Sequence, residues 1–222
     1  MNKEKNWILW DLNKRIFFEK NYIDFHNYTC FFGYDFFYKE IYDFEFSSNK
    51  CIYEMDKCLI DNDDIVVDLG ANVGFFTAYA ASKAKKVIAI EGSPEIFSCL
   101  VRNTKQDYNN IEYLNANIIS NNDLKISTWS DNPTKINVLI EDVFRFYNLN
   151  KIDFLKIDIE GGEYSLIETI DNSLLKKINK IAIETHFHEK NQTLINKLNS
   201  KNLFSFDWYL DRQKQIMLYF YN

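Results

Sequence analysis

The chain has 222 residues, a formal net charge of -6, and a hydrophobic content of 46%. It is long enough to bury one substantial core but too short for two full-sized domains. The acidic balance argues against a protein that grips phosphate backbones, because such proteins concentrate Lys and Arg on one face. Nucleic acid is therefore not an expected partner.

The sequence shows no sign of membrane insertion or export. It contains no run of about eighteen uninterrupted apolar residues, and Met1 to Lys20 lack the separate basic and apolar regions of a signal peptide. We therefore expect a cytoplasmic protein with no membrane partner. The cysteines are too few for a disulfide framework and form no close Cys-x-x-Cys pair for zinc, so we expect reduced, mostly buried thiols: Cys30, Cys51, Cys58 and Cys99.

Residues 1–60 are predicted to form an aromatic-rich N-terminal extension, and residues 61–222 the main domain. The extension is crowded with rings such as Trp7, Trp10, Phe31 and Phe32, without a clean helical period. These rings can form a lid that stacks on an acceptor. Alternatively they simply pack the extension onto the main domain, since Phe and Tyr are abundant throughout the chain. We favour the second interpretation.

From about Ile65 onward, apolar runs alternate with amphipathic segments. This pattern predicts βαβ units and a parallel sheet that is buried on both faces. The first unit is a strand at Ile65–Leu69 with a helix-compatible stretch at Val73–Ala84. The second is a strand at Lys86–Ile90, followed by a helix that Ser93 caps and Pro94 begins.

The remaining strands complete the predicted sheet. We expect them at Ile111–Leu114, Leu124–Thr128, Ile152–Ile157, Ile178–Glu184, Phe204–Leu210 and Gln215–Phe220. Residues Asp211–Lys214 predict a hairpin turn, so the last two strands should be antiparallel. The expected fold class is α/β and Rossmann-like, with a mostly parallel sheet and a C-terminal antiparallel hairpin. Fold alone does not give function.

The loop after the first main-domain strand is the strongest candidate for ligand binding. It runs from Asp68 to Gly74 at the carboxyl end of the strand, where open α/β sheets bind ligands. Gly70 and Gly74 permit a sharp turn and a close backbone approach, and Asn72 lies between them. The Asp68 carboxylate suits an amino-acid ammonium better than a dinucleotide phosphate. The missing second glycine of G-x-G-x-x-G argues against an NAD-dependent oxidoreductase.

Two further positions extend this predicted cofactor site. Glu91 ends the second strand about twenty residues later, where an acidic side chain accepts hydrogen bonds from ribose hydroxyls. Asn117 follows the third strand, where a small polar group would face an adenine edge. Together with Asp68, these residues predict a cleft with an acid on either flank, sized for a sulfur-bearing nucleoside.

Four motifs in the last two thirds of the chain carry a family resemblance. They are VVDLGANVGFF at Val66–Phe76, IAIEGSPEIF at Ile88–Phe97, DFLKIDIEGGE at Asp153–Glu163 and IAIETHF at Ile181–Phe187. In these motifs and their order, the chain resembles the FkbM family of methyltransferases. The resemblance implies a class I fold, S-adenosylmethionine (AdoMet) as cofactor, and O-methylation of a sugar, glycan or natural-product hydroxyl. Two departures are Gly92, where the family usually has proline, and Glu141, where Asp is commoner.

A hydroxyl acceptor needs a base or a divalent metal to take or weaken its proton. Asp158 and Glu160 lie at the end of one predicted strand, and Glu184 and His186 at the end of the next, so these side chains should meet at the carboxyl edge of the sheet. We predict Asp158, Glu160 and His186 as catalytic residues, with Asp158 and His186 removing the proton or orienting the acceptor. An alternative that we do not favour places Mg²⁺ or Mn²⁺ between Asp158, Glu184 and His186, because strand-end carboxylates are also ordinary solvated charges.

Two functions remain open at this point. The leading hypothesis is an AdoMet-dependent O-methyltransferase that acts on a small-molecule or glycan acceptor. The alternative is a catalytically inactive AdoMet-binding protein that serves as a binding or scaffold partner. The presence of all four polar side chains at the predicted edge favours the enzyme.

Overall fold

In a computed structural model, the chain folds as helices packed on both faces of a central sheet. The structure describes residues 5–9, 15–19, 51–120, 134–210 and 213–222. For residues 5–9, 15–19, 188, 203–210 and 213–215 it describes the backbone alone. The predicted strand at Leu124–Thr128 lies outside the described residues, as do Asp211 and Arg212 of the predicted turn.

The described elements follow one another in a βα alternation from residue 65 onward. The strands are β1 (Lys5–Leu9), β2 (Arg15–Glu19), β3 (Ile65–Leu69), β4 (Lys86–Glu91), β5 (Ile111–Asn115), β6 (Asn117–Ile118), β7 (Asn137–Val138), β8 (Ile152–Ile157), β9 (Ile178–Thr185), β10 (Asn202–Leu210) and β11 (Gln213–Tyr221). The helices are α1 (Phe75–Ala81), α2 (Pro94–Thr104), α3 (Ile140–Phe146), α4 (Glu163–Thr169), α5 (Asn172–Leu175) and α6 (Asn191–Lys197), with a 3₁₀ turn at His188–Lys190.

The central sheet has seven strands in the order β10-β11-β9-β8-β3-β4-β5. The five strands from β9 to β5 are parallel, and β11 joins β9 and β10 in antiparallel pairs. This arrangement confirms the Rossmann-like prediction and its C-terminal hairpin. The hairpin strands run further than expected, because Gln213 and Lys214 of the predicted turn pair within β11.

The core lies on both faces of the sheet because the parallel strands direct apolar side chains to both sides. In β4, Val87 and Ala89 face α1 and α2, whereas Ile88 and Ile90 face the opposite layer, to which α3, α4, α5 and α6 contribute. Ser93 caps α2 by accepting a hydrogen bond from the Ile96 amide, as predicted. Burial of both faces fixes the register of the strands and thus the position of their ends.

Part of the last ten residues of the predicted extension packs within the main-domain core. Cys51, Tyr53, Cys58 and Ile60 are buried in the same cluster as β3 and α1. The rings before residue 51 lie outside the described side chains, so the choice between a lid and packing onto the main domain stays a prediction. The division into two regions stays a prediction. Among the described residues, no helix is long and apolar enough to cross a membrane.

The sheet order creates a crevice at the end of β3. From β3 the chain moves outward through β4 to β5, and it later returns to place β8 on the other side of β3. The loops that follow β3 and β8 therefore leave the sheet in opposite directions. In open α/β sheets, ligands bind in the crevice formed at such a point.

Candidate active site

The loop between β3 and α1 is held against the end of β8. Gly70 has a φ of +75°, and its amide and that of Ala71 both donate to the Ile90 carbonyl. A Cβ atom at Gly70 would lie 1.8 Å from the Asp158 carbonyl oxygen. Glycine is therefore required here by both the backbone conformation and the lack of space. Asn72 is also left-handed, with a φ of +49°.

Gly74 permits close packing between two helices. Its φ is +99°, and a Cβ atom there would lie 2.9 Å from Leu100 Cδ1 and 3.0 Å from Thr104 Cγ2, both on α2. Gly74 thus lets α1 begin immediately against α2. The contact between Gly74 and a cofactor remains a prediction.

Asp68 is fully buried and forms an internal ion pair. Its Oδ1 lies 3.2 Å from Nζ of Lys156, which sits beside it in the β3–β8 register, and its Oδ2 accepts a 2.6 Å hydrogen bond from Thr77. Burial raises the pKa of Asp68, and the nearby ammonium opposes this shift. Lys156 also donates to the Gly70 carbonyl at 2.7 Å. The pair therefore fixes the loop, and a contact of Asp68 with AdoMet stays a prediction.

Glu91 holds the other flank of the loop. Its carboxylate accepts hydrogen bonds from the amides of Asn72 at 3.0 Å and Ser93 at 2.7 Å. Burial raises the pKa of Glu91, while these two amides lower it. Each carboxylate oxygen can accept a further hydrogen bond, and the side chain is partly exposed. This geometry is compatible with the predicted contact to ribose hydroxyls.

Asn117 is buried and ties β6 to the β7 segment. Its Nδ2 donates to the Thr134 carbonyl at 2.7 Å and lies 3.0 Å from Asn137 Oδ1. A Cβ atom at Gly92 would lie 2.4 Å from Asn117 Oδ1. Proline carries such an atom, so a proline at position 92 would crowd the Asn117 side chain as it lies in this structure. The predicted adenine contact of Asn117 stays a prediction.

The four predicted polar side chains come together at the carboxyl edge of β8 and β9. His186 Nε2 lies 3.2 Å from Glu160 Oε2 and 4.0 Å from Asp158 Oδ1. The Tyr53 hydroxyl lies 3.0 Å from Asp158 Oδ2 and 3.0 Å from Glu184 Oε2. Glu160 has a left-handed backbone conformation, with a φ of +54°. The expected meeting of these residues is confirmed, although their roles stay predictions.

His186 is surrounded by carboxylates that favour its charged form. Its Nδ1 lies 2.6 Å from Oε1 of Glu163, which is fully buried in the first turn of α4. Burial lowers the pKa of His186, but the contacts with Glu160 and Glu163 raise it more, to about 11. The imidazole therefore carries a positive charge at neutral pH, and both of its nitrogens are donors.

Among the described residues, one group can offer three ligand atoms to a metal ion. It consists of Asp158, Glu160 and His186, whose ligand atoms all lie within 4.8 Å of one another. The group differs from the predicted set by containing Glu160 in place of Glu184, because the Glu184 carboxylate is turned toward Tyr53. Partly exposed carboxylates often cluster without binding an ion, so the grouping alone does not assign a metal.

Comparison of the chain with models of known protein families gives a match that covers this site. The model of the Methyltransferase FkbM domain matches residues 68–207, from the first residue of the candidate cofactor loop to beyond the carboxyl edge of β9. The chain belongs to the FkbM methyltransferase family. The match includes all of the predicted cofactor-binding and catalytic residues.

The curated relatives of this FkbM-family chain differ in the fraction of their own length that the match covers. It is 24% identical over 199 residues to Methyltransferase sdnD of Sordaria araneosa, covering 68% of this chain and 74% of that protein. It is 35% identical over 65 residues to Ribosomal RNA small subunit methyltransferase A of Alkaliphilus metalliredigens, covering 29% of this chain and 22% of that protein. The first three relatives are matched over only 22%, 22% and 30% of their own lengths.

Solved structures with the same fold include several methyltransferases. Trm5b from Pyrococcus abyssi has a TM-score of 0.54 at 14% identity, covering 100% of this chain and 56% of that one. TrmK of M. capricolum, solved with S-adenosyl-homocysteine, has a TM-score of 0.51 at 14% identity, covering 73% and 64%. At such identities the likeness shows the Rossmann-like methyltransferase fold alone.

Sequence reasoning missed three residues that organise the site of this family member. A lysine inside the buried strand β8 signals a partner, and Lys156 indeed pairs with Asp68. Glu163 begins a helix, a position where acids are common, so its contact with His186 had no distinct signal. Tyr53 was one ring among many in the extension. Its role depends on long-range packing that periodicity does not reveal.

Proposed function

We propose that this FkbM-family chain is an AdoMet-dependent O-methyltransferase whose acceptor is a hydroxyl of a small molecule or glycan, such as a sugar or natural product. The observation that carries the proposal is the position of Asp158. Its carbonyl oxygen packs against Gly70 of the candidate cofactor loop, while its carboxylate lies near His186 and Tyr53. A proton-accepting group thus lies directly beside the place proposed for the cofactor.

The cofactor would lie along the loop after β3. Gly70, Asn72 and Gly74 shape this loop, and Glu91 offers its remaining lone pairs to ribose hydroxyls. Asp68 stabilises the loop through its ion pair with Lys156, which also donates to the Gly70 carbonyl. Asn117 would lie on the side of the site that holds the adenine ring. When bound, AdoMet supplies an electrophilic methyl group on a sulfonium. Holding an acceptor oxygen in line with such a group can contribute on the order of 7 to 11 kcal/mol to the lowering of the barrier.

On the acceptor side, Asp158 is the proposed base and His186 orients the acceptor. A protonated imidazole cannot take a proton, but its Nε2–H, which faces Glu160 in the structure, can donate a hydrogen bond to a bound acceptor instead. Glu160 and Glu163 hold His186 in place from its two nitrogens. The positive charge of His186 thus offsets part of the negative charge of the surrounding carboxylates, and the proposed transfer uses no metal ion.

RNA is a second candidate acceptor, because a curated relative is a ribosomal RNA methyltransferase. The net charge of -6 and the carboxylates at the acceptor edge make a phosphate backbone a poor match.

The three described cysteines, Cys51, Cys58 and Cys99, are free thiols, which agrees with a proposed location in the cytoplasm.

Calorimetry with AdoMet and S-adenosyl-homocysteine tests the shared part of the proposal. We expect both to bind, and binding of neither would overturn the enzyme and the inactive AdoMet-binding alternative together. Incorporation of radiolabelled methyl groups into cell-extract glycans, compared with total RNA, then tests the acceptor. We expect labelled glycans, whereas labelling of RNA alone would replace the acceptor class. Binding without any transfer would favour the inactive alternative.

Two variants test the catalytic assignment in the same assay. Asp158→Asn should lower transfer by about 100-fold or more, because it removes the base. His186→Ala should also lower transfer, because it removes the donor and leaves Glu163 buried without its partner. Full turnover by both variants would contradict the assignment even if the wild type methylates glycans.

A further inference from the structure

Tyr53 lies between two carboxylates at the acceptor edge. Its side chain is buried, its ring packs edge-on against Phe76 with centroids 5.1 Å apart, and Lys156 Nζ lies 5.0 Å from the ring centroid. These contacts fix the hydroxyl at 3.0 Å from Asp158 Oδ2 and at 3.0 Å from Glu184 Oε2. The tyrosine therefore joins a residue after β8 to a residue of β9.

A phenolic hydroxyl has one proton, so it can donate to only one of these two carboxylates at a time. When both carboxylates are ionised, the other contact places the tyrosine oxygen against a carboxylate oxygen without a proton between them. Adding one proton to either carboxylate turns that contact into a second hydrogen bond. The three oxygens are thus arranged to stabilise the addition of a single proton, which belongs to the group as a whole.

We propose that Tyr53 couples Asp158 to Glu184 so that these three side chains together accept the proton that the acceptor hydroxyl loses. Tyr53 is a positioning residue in this proposal, because it acts through Asp158. The Asp158 side chain is 20% exposed and can face an acceptor, whereas Glu184 is 5% exposed and lies behind it. The inference rests on the proposed O-methylation.

Charged groups face Asp158 from several elements. Lys156 Nζ of β8 lies 3.5 Å from its Oδ2, and His186 Nε2 lies 4.0 Å from its Oδ1. Glu160 lies beyond His186, and Asp68 lies beyond Lys156. The Tyr53 hydroxyl is the neutral hydrogen-bonding partner among these groups.

The proposed step balances without a further reagent. The acceptor oxygen forms a bond to the methyl carbon as the methyl–sulfur bond breaks, and the sulfur keeps that electron pair. The acceptor O–H bond breaks, its electron pair stays on oxygen, and its proton moves to Asp158. Neutral Asp158 then donates to the Tyr53 oxygen, while Tyr53 donates to Glu184. The charge of the three-residue group changes from -2 to -1.

Kinetics of the Tyr53→Phe variant test the inference, with labelled AdoMet and the glycan fraction that accepts methyl groups. We expect kcat to fall at least about tenfold, within the range of general acid–base effects, with KM for the glycan and Kd for AdoMet changed less than about twofold. Glu184→Gln keeps the side-chain shape and should show the same split. Tyr79→Phe is the matched control, because that hydroxyl also contacts a carboxylate, that of Glu54 outside the site. Unchanged kcat in Tyr53→Phe and Glu184→Gln would overturn the inference.

Carbon-13 NMR of tyrosine labelled at Cζ provides a readout that needs no acceptor. The Tyr53 signal, assigned by its loss in Tyr53→Phe, should shift in both Asp158→Asn and Glu184→Gln. The Tyr79→Phe variant should leave it unchanged. If the chemical shift of the Tyr53 signal were the same in the wild type, Asp158→Asn and Glu184→Gln, the inference would be overturned even if glycans are methylated. If the wild type methylates no glycan, the proposed function fails, and the NMR result still decides whether the three residues act together.

Discussion

The two halves of the candidate site use charged side chains in different ways. On the cofactor half, Asp68 and Lys156 neutralise each other in full burial, and Glu91 accepts hydrogen bonds from the backbone of the loop. On the acceptor half, four carboxylates converge on His186 and Tyr53: Asp158 and Glu160 are partly exposed, whereas Glu163 and Glu184 are buried.

This difference indicates which half is structural scaffold and which is available for chemistry. A buried, paired charge such as Asp68 stabilises the backbone around it. Altering it should therefore lower the free energy of unfolding more than it lowers the rate of catalysis. The acceptor half keeps polar atoms near solvent, where a substrate can exchange partners with them. Variants of the first half should therefore change stability and cofactor affinity together, while variants of the second should change turnover.

The largest effect is expected for Gly70→Ala on the cofactor half. The new Cβ atom would overlap the Asp158 carbonyl oxygen, and the φ of +75° disfavours any L side chain. We expect a loss of about 4 kcal/mol or more in the free energy of unfolding, with AdoMet binding abolished in any folded fraction. Urea unfolding followed by circular dichroism, and calorimetry with AdoMet, measure these effects.

Gly162→Ala is the matched control for this prediction. Its φ is -76°, and the nearest atom to a new Cβ is Ile159 Cδ1, which belongs to a flexible side chain. We expect a cost below about 1 kcal/mol. If Gly70→Ala were as mild as Gly162→Ala, the close approach of the loop to β8 would be wrong.

The next largest effect is expected for Lys156→Met, which leaves the Asp68 carboxylate buried without its cation. Removing one partner of a buried pair typically costs about 3 to 5 kcal/mol, and urea unfolding should show a loss of this size. The double variant Lys156→Met, Asp68→Asn should recover part of it, because no unpaired charge remains. Lys86→Met breaks an exposed pair with Glu112 and should cost less than about 1 kcal/mol. Equal losses from the two single variants would refute the role of burial.

The cofactor half was more predictable from sequence than the acceptor half, and the reason is physical. Gly70 and Glu91 occupy positions set by one strand end and the next, which hydrophobic patterning locates within a residue or two. Tyr53 and Glu163 reach the acceptor half from an irregular segment and from a helix start. Their contacts depend on packing between segments more than twenty residues apart in sequence, which no local pattern encodes. The charge of His186 likewise follows from neighbours in space.

A smaller effect is expected in the pH dependence of stability on the acceptor half. The folded state raises the pKa of His186 from 6.5 to about 11, so the folded protein binds this proton more tightly than the unfolded chain does. The resulting stabilisation is complete below the unfolded pKa and is lost as pH rises toward the folded pKa. The free energy of unfolding of the wild type, relative to His186→Gln, should therefore be larger at about pH 6 than at about pH 9. Glu163→Gln should flatten this difference, and a difference that grows with pH would contradict the assigned charge.

The smallest effect is expected from removal of divalent metal ions. His186 is protonated and faces Glu160 with Nε2, so a proton already occupies the nitrogen with which His186 would bind a metal ion. Dialysis against a chelator should change AdoMet affinity and methyl transfer by less than about twofold, within ordinary experimental variation. A metal ion at Asp158, Glu160 and His186 would have to displace the imidazole proton, so activity lost on chelation and restored by Mg²⁺ or Mn²⁺ would overturn the metal-free proposal. It would also change the comparison between the halves, since both would then depend on a fixed cation, Lys156 in one and a metal in the other.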